Sequence, residues 1–360
     1  MNRDYNTFFK RQITLDEIGL EGQKKLGQTK VLIVGCGGLG STIAVHVAAS
    51  GIGAIHLMDF DVVALSNLHR QVYYCLDDVG ASKSETLAVF IKARAPFTKV
   101  TYTKHALEKT NVIQSFKDYD IIVDATDNLA IKYLINDACV VLGKPMVYGS
   151  LYKFEGYVAT FNHMSEQGRY STNLRDAFPK IATDIPTCET VGTLNSIVGI
   201  IAMLQVNEVL KIATETGELL IDKLLIYNSL RNSNFILKLE KTQTEEAVLA
   251  IFKEEKYLGL PCDIQDPSLL ISASDLKKEI AKEGVRILSV IEMMTTKYPF
   301  KIHETHPLST LDPELMHLDS RKKYIVICHK GISSYMATVR IKKQYPTLRV
   351  CSLIGGIDKF

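Results

Sequence analysis

The feature that most constrains this chain is a glycine-rich turn between a predicted strand and a predicted helix. The apolar run Lys30–Val34 leads directly into Gly35-Cys36-Gly37-Gly38-Leu39-Gly40, and helical spacing follows over residues 39–50. Glycines allow a tight turn, so that a phosphate can lie on free N–H groups at the positive end of the helix. Asp59 ends the next predicted strand, nineteen residues after Gly40, where a carboxylate can bind ribose hydroxyls. The predicted contacts of an adenine nucleotide are Gly35, Gly37, Gly38, Gly40 and Asp59.

The rest of the first 240 residues repeats this alternation of strands and helices. Short apolar runs at 55–59, 100–103, 121–124 and 145–148 alternate with helical stretches at 82–94, 111–116 and 128–142. Strands separated by helices of this length are typical of βαβ units and a parallel sheet. Two later stretches, 151–161 and 223–239, have no helices between them, so we expect antiparallel additions to the sheet. The prediction is an α/β, Rossmann-like fold with a mainly parallel sheet.

Length and composition favour two domains. The chain has 360 residues, 46% of them hydrophobic and 23% charged, which is typical of globular proteins with more than one core. We assign residues 1–240 to the first domain and 241–267, which are charged and contain two prolines near their end, to a linker with a short helix at 245–252. Residues 268–360 resume an αβ pattern and predict a small α/β domain.

Charge and cysteine content exclude several classes of protein. The net charge is +2, which gives no global reason to expect nucleic acid or an anionic membrane as a partner. The seven cysteines are an odd number without close pairs, which argues against a disulfide framework and fits a reducing cytosol. Residues 1–12 are polar, unlike a secretory signal, and the apolar stretch 191–210 contains enough polar residues to predict a buried helix. We expect a cytoplasmic protein without a membrane partner.

The residues beyond Asp59 favour ATP over NAD. Asn67, Arg70 and Lys83 follow the ribose acid. An enzyme that promotes attack on an α-phosphate needs positioned cations there, because negative charge builds on the phosphoryl oxygens. Asp127, after the strand at 121–124, could hold the Mg²⁺ that accompanies ATP. Taken singly, Arg70 and Lys83 could be solvated surface charges, and Asp127 could be a helix N-cap.

In their order and spacing these residues resemble the family of ThiF, MoeB and HesA, bacterial relatives of the ubiquitin-activating enzymes. The resemblance covers residues 8–240, and the matching pieces are Arg11-Gln12, residues 34–40, Asp59-Phe60-Asp61, residues 66–71, residues 80–83 and Thr126-Asp127-Asn128. It implies an adenylyltransferase that uses ATP and Mg²⁺ to activate the C-terminal Gly-Gly of a ubiquitin-like sulfur-carrier protein, for thiamine or molybdopterin biosynthesis.

The resemblance also implies roles for individual residues. Asp59 would bind the ribose, Asn67, Arg70 and Lys83 would contact the phosphates, and Asp127 would hold Mg²⁺. The family geometry further implies a homodimer in which Arg11 reaches into the active site of the partner subunit.

The chain departs from the family at the zinc site that many members form with two CxxC pairs. Arg169-Tyr170-Ser171-Thr172 stands in the place of the first pair, and near the second there is only Cys262. One cysteine cannot make a tetrahedral site of this type, so we expect no zinc and another means of holding this region together. Cys188 matches the cysteine segment of the family. It is either an activated thiol that links covalently to the carrier or an inert buried thiol.

In the second domain, Cys328 follows a predicted strand at 324–327 and precedes a helix. A cysteine there faces backbone N–H groups and a helix dipole, which stabilise a thiolate or a persulfide. The layout resembles a rhodanese-like sulfurtransferase domain, as does Leu353-Ile354-Gly355-Gly356-Ile357. Ser289-Val290-Ile291 replaces the usual Asp-Val-Arg, and Ser333 replaces the usual arginine, which leaves Lys330 as the cation of the loop. Sulfur relay from a cysteine desulfurase is one interpretation, and a docking domain with an inert cysteine is the other.

Three other functions were weighed against carrier activation. An NAD-dependent oxidoreductase accounts for the glycine turn and Asp59 but gives Asn67, Arg70 and Lys83 no role. An RNA-modifying relative, such as the dehydratase that cyclises threonylcarbamoyl-adenosine, is disfavoured by the near-neutral charge and the appended sulfur-type domain. A non-catalytic scaffold would not need the full set of nucleotide-binding residues.

Overall fold

The computed structural model describes residues 4–179, 192–255, 257, 266–291, 298–316, 318–329, 331–357 and 360. The chain divides into two compact units, Met1–Tyr257 and Leu258–Phe360. The boundary falls inside the segment predicted as a linker. The helix predicted in that segment spans Glu245–Glu254 and packs within the first unit on the helix Leu129–Leu142.

A mixed sheet forms the centre of the first unit and confirms the predicted α/β architecture. Its strand order is β3-β2-β1-β4-β5-β6-β7-β8, in which β1 to β5 are parallel and β5 to β8 pair antiparallel. The strands are β1 Lys30–Val34, β2 Ala54–Met58, β3 Lys99–Thr103, β4 Ile121–Asp124, β5 Met146–Tyr152, β6 Glu155–Phe161, β7 Lys223–Asn228 and β8 Ser233–Lys238.

Helices cover both faces of this sheet because successive strand residues point to opposite sides. Val31 and Ile33 belong to one apolar core, with α3, α4, α5 and α9, whereas Leu32 and Val34 belong to the other, with α6 and α7. The helices are α1 Tyr5–Phe8, α2 Lys10–Ile13, α3 Gly19–Gln28, α4 Gly38–Ala49, α5 Lys83–Arg94, α6 Val112–Phe116, α7 Leu129–Leu142, α8 Leu174–Ala177, α9 Asn195–Thr214 and α10 Glu245–Glu254.

The antiparallel part of the sheet differs from the prediction in one detail. The sequence predicted a strand at 145–148 and a separate antiparallel stretch at 151–161. Instead β5 continues to Tyr152, turns at Lys153, whose φ is +55°, and returns as β6. The extra length of β5 comes from pairing with β6 beyond the end of β4. Long-range pairing, which local composition does not encode, therefore sets where the strand ends.

Helix α9 is long and apolar enough, by length and composition alone, to cross a membrane. In this fold it packs on α4, β5 and β6. Ile197 and Ile201 are fully buried, and a Cβ on Gly156 of β6 would lie 2.1 Å from the Ile201 side chain. The contact of α9 with the sheet is thus close enough to require glycine on the strand.

The second unit contains a parallel sheet with the order β11-β10-β12-β13-β9. Its strands are β9 Leu270–Ile271, β10 Val285–Ser289, β11 Glu304–Thr305, β12 Lys323–Ile327 and β13 Arg349–Leu353, and its helices include α11 Ala273–Glu279 and α12 Ile332–Gln344. Apolar cores lie on both faces, with Val326 in one core and Ile325 in the other. The small α/β architecture predicted for this region is confirmed.

The contact between Gly40 and Gly35 gives a testable prediction about folding. A Cβ on Gly40 would lie 1.8 Å from the carbonyl oxygen of Gly35, so Gly40→Ala is expected to lower the free energy of unfolding by about 3 kcal/mol. Gly37→Ala is the control, because its Cβ would meet the Gln71 side chain at an ordinary 3.5 Å. Urea denaturation followed by circular dichroism measures both. Equal stability of the two variants would contradict the prediction.

Candidate functional site

The glycine turn between β1 and α4 is held by close backbone contacts on both sides. Gly35 has a φ of +92°, and a Cβ there would lie 2.7 Å from the carbonyl oxygen of Ala125, in the turn that follows β4. Gly40 lies against Gly35 in the same way. Helix α4 begins at Gly38, and the first N–H groups of a helix have no partner within it. This end of the sheet can therefore bind an anion such as a phosphate.

Asp59 fastens the end of β2 to the glycine turn. Its Oδ2 accepts a hydrogen bond from the N–H of Cys36 at 2.6 Å, and its Oδ1 accepts one from the N–H of Asp61 at 2.7 Å. Burial raises the pKa of Asp59 above its ordinary value, although both N–H donors oppose that shift. Each oxygen keeps a lone pair, so the carboxylate can also accept hydroxyl groups of a ribose.

Lys83 lies next to this carboxylate at the start of α5. Its side chain is only 7% exposed, and its Nζ lies 2.9 Å from Oδ2 of the half-exposed Asp61. The Tyr74 hydroxyl connects the two segments, because it donates to the Cys36 carbonyl at 2.8 Å and lies 3.3 Å from the Lys83 carbonyl. The fold therefore presents an ammonium group beside the glycine turn.

Arg70 and Asn67 approach the turn from a third direction. The N–H of Arg70 donates to the Asn67 carbonyl at 3.1 Å, and its guanidinium donates to the Ser66 carbonyl at 3.1 Å. A Cβ on Gly38 would lie 3.1 Å from the Arg70 carbonyl oxygen and 3.8 Å from its Cγ. The segment predicted to contact phosphates thus packs directly on the start of α4.

Asp127 is exposed in the turn between β4 and α7. Its alternative role as the N-cap of that helix is wrong, since Asn128 is the cap and its Oδ1 accepts from the N–H of Ile131 at 3.2 Å. Among the described residues, the carboxylate of Asp127 has no hydrogen bond or ion pair. Because the turn touches Gly35, Asp127 can face a ligand bound at the glycine turn.

Of the remaining predicted residues of the first domain, only Arg11 lies within the described part of the chain. Arg11 is exposed on α2, on the N-terminal side of β1. Cys188 lies outside the described residues, as do Cys262 and Lys330.

A buried polar network behind the site was missed by the sequence analysis. Asp124, the last residue of β4, pairs with Lys132 of α7 at 2.9 Å, and Gln205 of α9 donates to the Asp124 carbonyl at 2.9 Å. The available signal was the polar residues of α7 themselves, because Lys132, Asn136 and Asp137 interrupt a largely apolar helical stretch that must cover the sheet.

A second buried network occupies the region where the family pattern would place zinc. Arg175 donates through both Nε and Nη2 to the carboxylate of Asp137, which is fully buried, and the Tyr257 hydroxyl also donates to Asp137 at 2.5 Å. Within the described ranges, no group of three or more His, Cys, Asp or Glu side chains could hold a metal. The Arg175–Asp137–Tyr257 network ties the segment after β6 and the end of the first unit to α7.

In the second unit, Cys328 follows β12 and is surrounded by hydrogen-bond donors. Its Sγ accepts from the N–H of Gly331 at 3.0 Å and of Ser334 at 3.3 Å, and the Ser334 hydroxyl lies 3.2 Å away. Gly331 has a φ of +87°, and a Cβ there would lie 2.7 Å from the N of Gly355. The loop at Gly331 packs closely against the loop at Gly355, and this packing fixes the positions of the N–H groups that donate to the sulfur. Ser289 stands where the rhodanese-like pattern has an aspartate, and its hydroxyl lies 2.8 Å from the Tyr298 hydroxyl.

Comparison with known proteins agrees with this architecture. The sequence model of the ThiF family matches residues 9–248. The probable adenylyltransferase/sulfurtransferase MoeZ of Mycobacterium tuberculosis is 30% identical over 354 residues, which cover 95% of this chain and 90% of MoeZ. The sulfur carrier protein adenylyltransferase of Thermus thermophilus is 36% identical over 227 residues, which cover 62% of this chain and 84% of that protein. The solved structure of E. coli MccB with ATP has the same fold over 67% of this chain and 74% of MccB, with a TM-score of 0.58 and 22% identity.

The Arg175–Asp137–Tyr257 network predicts metal-independent stability. Arg175→Met leaves the buried carboxylate of Asp137 without its counter-charge. We expect it to lower the free energy of unfolding, measured by urea denaturation, by about 3–5 kcal/mol. Arg169→Met, which changes an exposed side chain nearby, is the control and should change stability little. Dialysis of the unmodified protein against EDTA should leave its unfolding midpoint unchanged. A large shift on dialysis would reveal a structural metal and refute the prediction.

Proposed function

The chain belongs to the ThiF family, and on that premise we propose that its first unit adenylates the C-terminal carboxylate of a ubiquitin-like sulfur-carrier protein with ATP. The observation that carries the proposal is the packing of three separate segments on one glycine turn. These segments bring Asp59, Arg70 and Lys83 to the carboxyl end of the parallel strands, where ligands of such sheets bind.

The reaction needs charge stabilisation more than acid or base chemistry. A carboxylate oxygen of the carrier attacks the α-phosphorus of ATP, the bond to the bridging oxygen of the β-phosphate breaks, and pyrophosphate leaves. Negative charge grows on the phosphoryl oxygens, and in this proposal Lys83 and Arg70 stabilise it. The nearly complete burial of Lys83 limits the screening of its charge by water, while its ion pair with Asp61 offsets part of that charge.

The exposed carboxylate of Asp127 fits the binding of Mg²⁺, whose preferred ligands are carboxylate, phosphate and water oxygens. Bound there, the ion would neutralise charge on the phosphates. Asp59 would bind the ribose, and Asn67 would contact the phosphates from the segment that packs on Gly38.

The named relatives support carrier activation over the alternatives. A relative that matches nearly the whole chain is named both an adenylyltransferase and a sulfurtransferase, and one that matches the first unit is named for a sulfur carrier protein. Neither name fits an NAD-dependent oxidoreductase or an enzyme that modifies RNA. A ubiquitin-like sulfur carrier is accordingly the proposed partner.

We further propose that the second unit accepts sulfur on Cys328. The Cys328 thiolate would attack the outer sulfur of a persulfide on a cysteine desulfurase, so that one S–S bond forms on Cys328 while the bond in the donor breaks. The N–H groups of Gly331 and Ser334 support this step, because they donate hydrogen bonds that stabilise an anionic sulfur.

The proposed adenylation is tested by carrier-dependent exchange of labelled pyrophosphate into ATP. Arg70→Ala should reduce the exchange rate by at least about 100-fold while leaving the fold intact, because it removes one stabiliser of transition-state charge. Arg231→Ala, which changes an exposed arginine between β7 and β8, should exchange at the normal rate. Absence of exchange in the unmodified protein with every Gly-Gly carrier tried, together with tight NAD binding, would overturn the proposal.

A homodimer with shared active sites is proposed from the exposed position of Arg11, whose side chain makes no hydrogen bond or ion pair with Asp59, Arg70 or Lys83 of its own chain. Mixing inactive Arg11→Ala and Lys83→Ala proteins should restore part of the exchange activity, because one site in each mixed dimer is intact. Light scattering that shows a monomer at micromolar concentration would contradict this.

Sulfur transfer is tested by mass spectrometry after incubation with a cysteine desulfurase and cysteine. One added sulfur is expected on the Cys328 peptide and none in Cys328→Ser. Cys351→Ser is the matched control in the same unit, because burial raises the pKa of the Cys351 thiol to about 11 and makes it a poor nucleophile. Label on another cysteine alone, or no label, would identify the second unit as a docking module.

A further inference from the structure

We infer that Lys132 is a positioning residue for the proposed adenylation site. Its ammonium group holds the buried carboxylate of Asp124 and, through it, the turn that presents Asp127. The inference rests on the proposed function, and neither Lys132 nor Asp124 is one of the residues expected to touch ATP.

Lys132 is buried to an unusual degree for a lysine, with 2% of its side chain exposed. Its Nζ donates to Oδ2 of Asp124 at 2.9 Å and to the carbonyl oxygen of Gly149 at 2.7 Å, and it lies 5.1 Å from the centre of the Tyr148 ring. The ammonium group therefore bridges the carboxyl end of β4 to the neighbouring strand β5. Both contacts fix the position of the first turns of α7 over the sheet.

The carboxylate of Asp124 connects Lys132 to the turn between β4 and α7. It is fully buried, and its second oxygen, Oδ1, accepts from the N–H of Thr126 at 3.0 Å and from the Thr126 hydroxyl at 2.7 Å. Lys132 holds one oxygen while Thr126 occupies the other. A shift of the carboxylate must therefore move the backbone of the turn.

Asp127 lies between two anchored neighbours. Thr126 is bound to Asp124 on one side, and Asn128 caps α7 on the other. The same turn abuts the glycine turn, because Ala125 donates its N–H to Val34 at 2.9 Å and a Cβ on Gly35 would collide with the Ala125 carbonyl. The Lys132–Asp124 pair thus sets where Asp127 stands relative to the bound phosphates.

A side chain from the opposite face of the sheet also binds Asp124. Gln205 of α9 donates to the carbonyl of Asp124, and its side chain fills the space next to Gly149, where a Cβ would lie 2.1 Å from Oε1. The last residue of β4 is consequently held by α7 from one side and by α9 from the other.

Stability alone does not explain the pair. Removing two charges from water costs more than their attraction commonly returns, so a well-packed apolar pair would serve a purely structural purpose at least as well. Groups that orient the ligands of a metal, in contrast, typically change metal affinity or activity by 10- to 100-fold when they are mutated. The geometry fits the second role.

The test measures ATP binding to the purified full-length protein by calorimetry, over a range of Mg²⁺ concentrations and in EDTA. Lys132→Met should raise the Mg²⁺ concentration for half-maximal enhancement of ATP binding by about tenfold. Affinity for ATP in EDTA should stay unchanged, because the glycine turn and Asp59 remain intact. Lys144→Met is the matched control, since the partly buried Lys144 follows the same helix and donates to the Tyr119 carbonyl, away from the site. It should keep the normal Mg²⁺ response.

A second variant separates positioning from folding. Asp124→Asn combined with Lys132→Met leaves no uncompensated charge, so its thermal midpoint should return toward that of the unmodified protein while its Mg²⁺ requirement stays raised. A normal Mg²⁺ response in this double variant, or loss of ATP affinity in EDTA in both variants, would assign Lys132 a structural role only. If the unmodified protein fails to bind ATP, the proposed function fails first and the inference fails with it.

Discussion

The carbonyl oxygen of Gly35 and the backbone of Gly40 approach so closely that no side chain fits between them, and the proposed nucleotide site depends on this contact. It places the start of α4 directly over the end of β1. The N–H of Cys36, within the same turn, then reaches Asp59 of the neighbouring strand, and Gly38 leaves room for Arg70. A single steric condition thereby aligns three segments that are distant in the sequence.

Buried ion pairs fix the elements that surround this turn. Helix α7 contributes one residue to each of two such pairs. Lys132 of α7 pairs with Asp124 of β4, and Asp137 of α7 pairs with Arg175 of α8, and both pairs are almost completely removed from water. Such pairs tolerate little variation in geometry, because an unpartnered buried charge is costly. Helix α7 is accordingly held at its first turns by the sheet and further along by Arg175 of α8 and by Tyr257.

The second unit applies a related principle to a sulfur atom. Two glycine loops interlock at Gly331 and Gly356, and a Cβ on either would collide with the backbone of the opposite loop. The resulting curve directs two N–H groups and a hydroxyl toward the Cys328 sulfur. Stabilisation of an anion by the backbone does not depend on the arginine that Ser333 replaces, since the donors belong to the loop itself.

The sequence by itself determined the α/β class, the alternation of strands and helices in the βαβ units and the glycine turn followed by Asp59, because these depend on local periodicity and on residues whose spacing is fixed by the chain, whereas the order of the strands in the sheet came from the structure. Arg70, Lys83 and Asp127 were also predicted from the sequence, as charged residues in the segments that follow predicted strands. The length of β5, the cap at Asn128 and the links of Lys132, Gln205 and Tyr257 to distant partners were decided only by the tertiary structure. The cap at Asn128 is a local choice between two neighbouring residues, whereas the others join residues of different elements, and the free energy that fixes such contacts comes from burial, which a local pattern does not record.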